Sequence, residues 1–140
     1  MKKIFLLLLI TFCIASINAQ TGNRDSIIQL LKNDKEDTSR VFHLTELGFL
    51  YLYYKPDTTL LLALEALSLS RGIGFAKGEA ESLNRIGTAY RVFGDNSKGM
   101  DFYLQALKIN ERINNLDGIQ KNYGNNRSHI SFPGRIPAGT

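Results

Sequence analysis

The chain has 140 residues, 44% of them hydrophobic, with three prolines and no tryptophan, a composition that suits one small helical domain. Its net charge of +4 comes from the ends. Lys2, Lys3, Arg127 and Arg135 lie in the terminal stretches, and the remaining thirteen basic residues face thirteen acidic ones between Gln20 and Gly124, so the basic balance gives no argument for a nucleic-acid partner.

Residues 1–19 read as a secretory signal. Lys2 and Lys3 form a positive start, Ile4 to Ile14 is almost wholly apolar, and Ala19 supplies the small residue expected at a cleavage site. The apolar run is shorter than the ~20 residues a spanning helix needs. Export to the periplasm or outside the cell is therefore expected. The one cysteine, Cys13, falls inside this leader, so the mature chain would hold no disulfide, thiolate ligand or thiol nucleophile.

Residues 20–37 form a capping segment in this reading. Ile27, Ile28, Leu30 and Leu31 lie on one side of a short helix, with Asp25 or Ser26 as its cap. A first long helix is expected from Thr38 to Tyr54, with Leu44, Leu47, Gly48, Tyr51 and Tyr54 on one face. Pro56 ends it, and a second helix follows from Thr58 to Ser70 with Leu60, Leu61, Leu64 and Leu67 inward, closed by Gly72 and Gly74.

The same pattern then returns. Leu83, Ile86, Gly87, Tyr90 and Phe93 make an inner stripe, Gly94 to Ser97 a turn with Asn96 or Ser97 as cap, and Met100, Tyr103, Leu104 and Leu107 the next stripe. Leu47-Gly48 with Tyr51 matches Ile86-Gly87 with Tyr90 at an offset of 39, and Ala66 matches Ala106 at 40, so the first turn is one residue short. A glycine inside a helix costs about 1 kcal/mol relative to alanine. Gly48 and Gly87 are therefore expected where two helix backbones touch.

These residues resemble the tetratricopeptide repeat. Leu47, Gly48, Tyr51 and Ala66 carry the resemblance in the first copy, and Ile86, Gly87, Tyr90, Gly94, Gly99, Tyr103 and Ala106 in the second. The period near 40 is longer than the usual ~34, and Leu60 stands where the family has a small residue. The resemblance implies an all-α solenoid of antiparallel hairpins over residues 38–124, with two full repeats and the start of a third at Gly118 to Tyr123. It also implies a concave surface suited to a peptide or partner helix. On that geometry His43, Glu46, Tyr53, Arg85 and Arg91 are the candidate partner contacts, and the partner is a protein or peptide.

No catalytic or metal constellation is found. His43 and His129 lack carboxylate or cysteine partners at ligand spacing, Glu79 and Glu81 are two apart on one helix, and Gly72 to Gly78 has neither the preceding strand nor the Lys-Ser/Thr ending of a phosphate loop. No cofactor is expected, and no enzyme.

Residues 125–140 leave the pattern: where an apolar residue and glycine are due, Asn126 and Arg127 stand, followed by two prolines. One deleted base at Asn126, with synonymous codons free, permits the shifted frame to restore Ile-Gly, a tyrosine three later, a Gly-acid turn and a small residue at repeat spacing. The expectation is a frameshift product and a chain that is the front of a longer protein; a natural flexible C-terminus is the alternative. Since long-period arrays behind a signal also resemble the sensory front of membrane-bound histidine kinases or transcriptional regulators, a truncated sensory region is the second functional expectation. With only two repeats and a beginning, the face of Leu104, Leu107 and Ile113 should stay wet and the product should be marginally stable.

Overall fold

The computed structural model describes residues 23–127. The expected signal, the position of His129 and the tail from 128 onward lie outside the described residues. Six helices follow one another: α1 over residues 23–33, α2 Thr38–Tyr51, α3 Pro56–Gly72, α4 Ala76–Val92, α5 Asn96–Arg112 and α6 Leu116–Arg127. No strand occurs among the described residues, and each helix packs on its neighbours in the chain. The fold is an all-α stack of helical hairpins.

The cadence is regular because the links are alike. The starts of α3, α4, α5 and α6 are twenty residues apart, and α3, α4 and α5 each have 17 residues. After each of these three, an N–H bonds back to the carbonyl five residues earlier: Phe75 to Ser70, Asp95 to Tyr90 and Asn115 to Asn110. That bond requires a residue in the left-handed region just past the helix, and Gly74, Gly94 and Asn114 fill the place with φ of 69°, 87° and 54°. Asparagine tolerates it because its short polar side chain relieves part of the strain. The first link lacks that residue. Lys55 N–H bonds to Tyr51 four residues back, while its counterpart Asp95 reaches Tyr90 five back, which is the one-residue deficit.

Pro56 sits in the first turn of α3, where its missing N–H has no intrahelical use. Several expected details differ. α2 stops at Tyr51, and Tyr54 is exposed. The N-cap of α5 is Asp95, whose carboxylate accepts from Lys98 N–H, rather than Asn96 or Ser97. α1 already runs through Asp25 and Ser26, and Leu30 faces out while Ile27 is buried.

The largest correction concerns α3, where Leu61 and Leu64 are 69% and 45% exposed. Its buried face is Thr59, Ala63, Ala66, Leu67 and Ser70. Each of Thr59, Ala63, Ala66 and Ser70 stands forty residues before a buried residue of α5: Gly99, Tyr103, Ala106 and Asn110. The equivalent of Gly99 is thus Thr59, not Leu60. Ala63, Leu67, Ala80, Leu83, Ile86 and Ala106 form one core cluster, and Val41, Leu44 and Ala66 another, with Leu31 of α1 packed on it. Each fully buried Leu or Ile here contributes roughly 1.5–3 kcal/mol.

The two hairpins close differently. A Cβ on Gly87 would stand 2.8 Å from the Gly99 carbonyl oxygen and 2.9 Å from the Tyr103 ring, so the backbones meet there as expected. Gly48 is another matter. The nearest atom to a Cβ would be the Thr59 carbonyl oxygen at 3.6 Å, ordinary contact distance, because Thr59 holds the pair apart while its hydroxyl donates to the Gly48 carbonyl at 2.7 Å. A hydroxyl does in the first hairpin what direct glycine contact does in the second.

Nor is the wet end quite where expected. Leu104 and Ile113 are exposed, but so are Leu64 and Ile73, their counterparts inside the stack. The positions that lose cover at the end are Leu107, half-buried where Leu67 is buried, and Tyr123, 54% exposed where Leu83 is 1%.

Candidate interaction groove

α2, α4 and α6 are the first helices of successive hairpins, and their inner faces lie side by side. The repeat offset aligns Phe42 with Glu81 and Lys121, Glu46 with Arg85 and Asn125, and Phe49 with Thr88. Within α2 and α4 these positions recur at i, i+4 and i+7, which is one helix face.

Two hollows open along this surface. One, about 290 Å³, is lined among others by Phe42, Lys77, Glu81, Asn84 and Lys121. The other, about 390 Å³, takes in Phe49, Tyr53, Arg85, Thr88 and Arg91. Glu81, Asn84 and Lys121 border both, so the hollows join into a single groove across three helices.

The floor between them is polar and fixed. Asn122, fully buried on α6, donates to Asn84 Oδ1 at 2.7 Å and to the Tyr103 carbonyl at 3.1 Å, and accepts from Asn110 Nδ2 at 2.8 Å. Asn110 Oδ1 in turn accepts from Asn115 Nδ2 at 2.8 Å. Four amides from α4, α5, the following link and α6 thus satisfy one another, and a satisfied buried network holds its members in one geometry. Gly118 is required beside them, since a Cβ there would lie 2.4 Å from Asn110 Cγ. One repeat earlier the places of Asn110 and Asn122 are taken by Ser70 and Ser82, whose hydroxyls donate within their own helices to Ala66 and Gly78 carbonyls. The signal for this network lay in the forty-residue offset, which puts polar residues at buried positions in both repeats.

The charged wall lies nearer the ends of α2 and α4. The Arg85 guanidinium stacks on the Phe49 ring with Cζ 4.8 Å from its centroid, and Arg85 Nε is buried with no hydrogen-bond partner. Burial pushes the guanidinium below its ordinary pKa, with Glu81 acting in the opposite sense. Arg91 Nε is likewise buried without a partner. Glu81 pairs with Lys121, at 3.5 Å.

Tyr53, Arg85 and Arg91 therefore come together on one wall, with Tyr53 83% exposed. Glu46 is exposed on the same face of α2 but lines neither hollow. His43 stands apart, because its Nδ1 is 2.6 Å from Asp34 Oδ2 and the ring is engaged within the protein. Phe42, Phe49, Glu81, Asn84 and Lys121 were missed as groove residues by the sequence reading, although Phe42, Glu81 and Lys121 share one repeat position.

Among the described residues no group of three or more His, Cys, Asp or Glu side chains could hold a metal ion, and no helix is long and apolar enough to cross a membrane. Fold and groove together define a helical-repeat protein with a grooved inner face. No model of a known protein family matches the chain, and neither the curated proteins nor the solved structures compared with it gave a match.

Proposed function

We propose that this chain is an exported interaction module of the tetratricopeptide-repeat kind, which holds an extended segment of a protein partner along the inner faces of α2, α4 and α6 and performs no covalent chemistry of its own. The observation that carries this reading is the continuity of the groove: three helices present the same repeat positions to one open channel, with aromatic rings and charged side chains exposed in it. Such a surface offers pockets to alternate side chains of an extended peptide. The leader-like residues 1–19 support export.

The test is to select binders for the full chain from a displayed random-peptide library and to map hydrogen exchange with a selected peptide bound. Slowed exchange in α2, α4 and α6 is expected. Protection confined to the outer faces of α3 and α5, or no enriched peptide, would overturn the proposal.

A further inference from the structure

The two ends of the stack are finished differently. At the start, α1 lies over the first hairpin: Ile27 is buried, Leu31 packs on the cluster of Val41, Leu44 and Ala66, and Arg40 Nη1 donates to the Leu31 carbonyl at 3.0 Å. The outward side of α1 is mostly polar, with Asp25, Ser26, Gln29 and Asn33 around Leu30. That end is sealed.

At the other end, α5 and α6 present apolar side chains at positions that the stack covers one repeat earlier. Leu67 and Leu83 are enclosed together with Ala106 of α5, whereas Leu107 and Tyr123, forty residues on, have no following helix over them among the described residues and stand half-buried and exposed. Leu116 shares the helix face of Tyr123 and is 73% exposed. Apolar side chains gathered on one surface mark a contact. The border carries both signs, with exposed Lys108 four residues after Leu104 and exposed Glu111 four after Leu107, so an identical face brought against it meets opposite as well as like charge. The face has the form of the stack's own internal contacts, and what fits it is a pair of helices patterned as these are. The chain itself supplies such a pair.

We infer that two copies of this chain join through their α5–α6 end faces about a two-fold axis, with Leu107, Leu116 and Tyr123 of each packed against the same surface of the other. The sealed start decides the symmetry. Head-to-tail stacking would need an open face at the start of the next copy and would run on into a filament, and α1 closes that face, whereas self-complementary pairing uses both open ends and stops at two. Tyr123 lies about 160° round α6 from Lys121 at the groove border, so the pairing leaves the groove open and does not depend on what occupies it.

The test is the mass of the full chain by light scattering after size exclusion, over a wide range of protein concentration. A mass that rises from one chain to two and stops there is expected. Leu116→Lys and Tyr123→Lys, at exposed positions that the fold of one copy does not need, should each raise the dissociation constant by about tenfold or more, since each removes two apolar side chains from the dimer. Circular dichroism of both variants should match the parent, and Phe49→Ala, in the groove, should leave the dimer unchanged.

A monomer at every concentration would overturn the inference, and a monomer in which Tyr123 resists iodination would give the face to residues 128–140 instead. A mass that keeps climbing past two chains, or a dimer indifferent to both lysine variants, would overturn it equally.

Discussion

Gly48 and Gly87 occupy the same place in successive hairpins, and the structure assigns opposite outcomes to the same substitution there. Replacing either with alanine removes the backbone freedom of a mid-helix glycine, a gain of about 0.5–1 kcal/mol. At Gly48 nothing opposes the gain, because the new methyl would meet the Thr59 carbonyl oxygen at 3.6 Å and Arg85 Cγ at 3.7 Å. At Gly87 it would meet the Gly99 carbonyl oxygen at 2.8 Å and Tyr103 Cε1 at 2.9 Å. Neither can yield easily. Gly99 is backbone, and Tyr103 is 1% exposed and pinned through its hydroxyl to Thr88 Oγ1 at 3.0 Å. Overpacking of this kind costs about 1–3 kcal/mol, and more where backbone must move. The net expectation is a gain of about 0.5 kcal/mol for Gly48→Ala and a loss of about 2 kcal/mol for Gly87→Ala. For a domain near 100 residues these correspond to roughly +3 °C and −10 °C in Tm. Far-UV circular dichroism melts of the two variants beside the parent measure both. A Gly87→Ala protein that melts at or above the parent, or a Gly48→Ala protein that falls equally far, would refute the hydroxyl-versus-glycine account of the two hairpins.

Asn122→Ala should lower stability by about 2–4 kcal/mol, since it deprives Asn84 Oδ1, Asn110 Nδ2 and the Tyr103 carbonyl of the Asn122 amide, and hydrogen exchange should show α6 opening first. Ser82→Ala, which removes only a bond within its own helix, should cost under about 1 kcal/mol in the same assay. Thr59→Val keeps the shape but deletes the donor to the Gly48 carbonyl, and urea denaturation should register a loss of about 1 kcal/mol. Gly94→Ala, at φ 87°, should lose about 1–2 kcal/mol by the same method, whereas Gly72→Ala, with open space around it and no positive φ, should not.

The hairpin architecture was legible because glycine and alanine interrupt helical stripes at places no local preference explains. Gly87, Gly99 and Ala106 had to be contacts, and they are. The inward face of α3 was not legible from its own composition. With leucine at 60, 61, 62, 64, 67 and 69, apolar periodicity points several ways at once, and only the small residues Ala63 and Ala66 mark the buried side. Transferring the pattern of α5 back by forty residues would have found it. Gly48 was misjudged for a different reason: the separation of two helices is set by the residue opposite as much as by the glycine, and Thr59 was not recognised as that residue. The groove was half visible. Tyr53, Arg85 and Arg91 came from helix-face reasoning, but whether Arg85 Nε meets an acceptor depends on where side chains such as Glu81 turn, and no spacing rule says that.

The stack has no centre. α2 and α6 each rest on intervening helices, and neither packs against the other. In a stack held by neighbour contacts, curvature is the sum of small tilts between successive helices. Anything seated along the inner faces of α2, α4 and α6 would act as a tie across those contacts, adding a link between α2 and α6 that the bare stack lacks. Occupancy would then be felt as stiffness by whatever is joined to either end, without any hinge or switch built into the helices themselves.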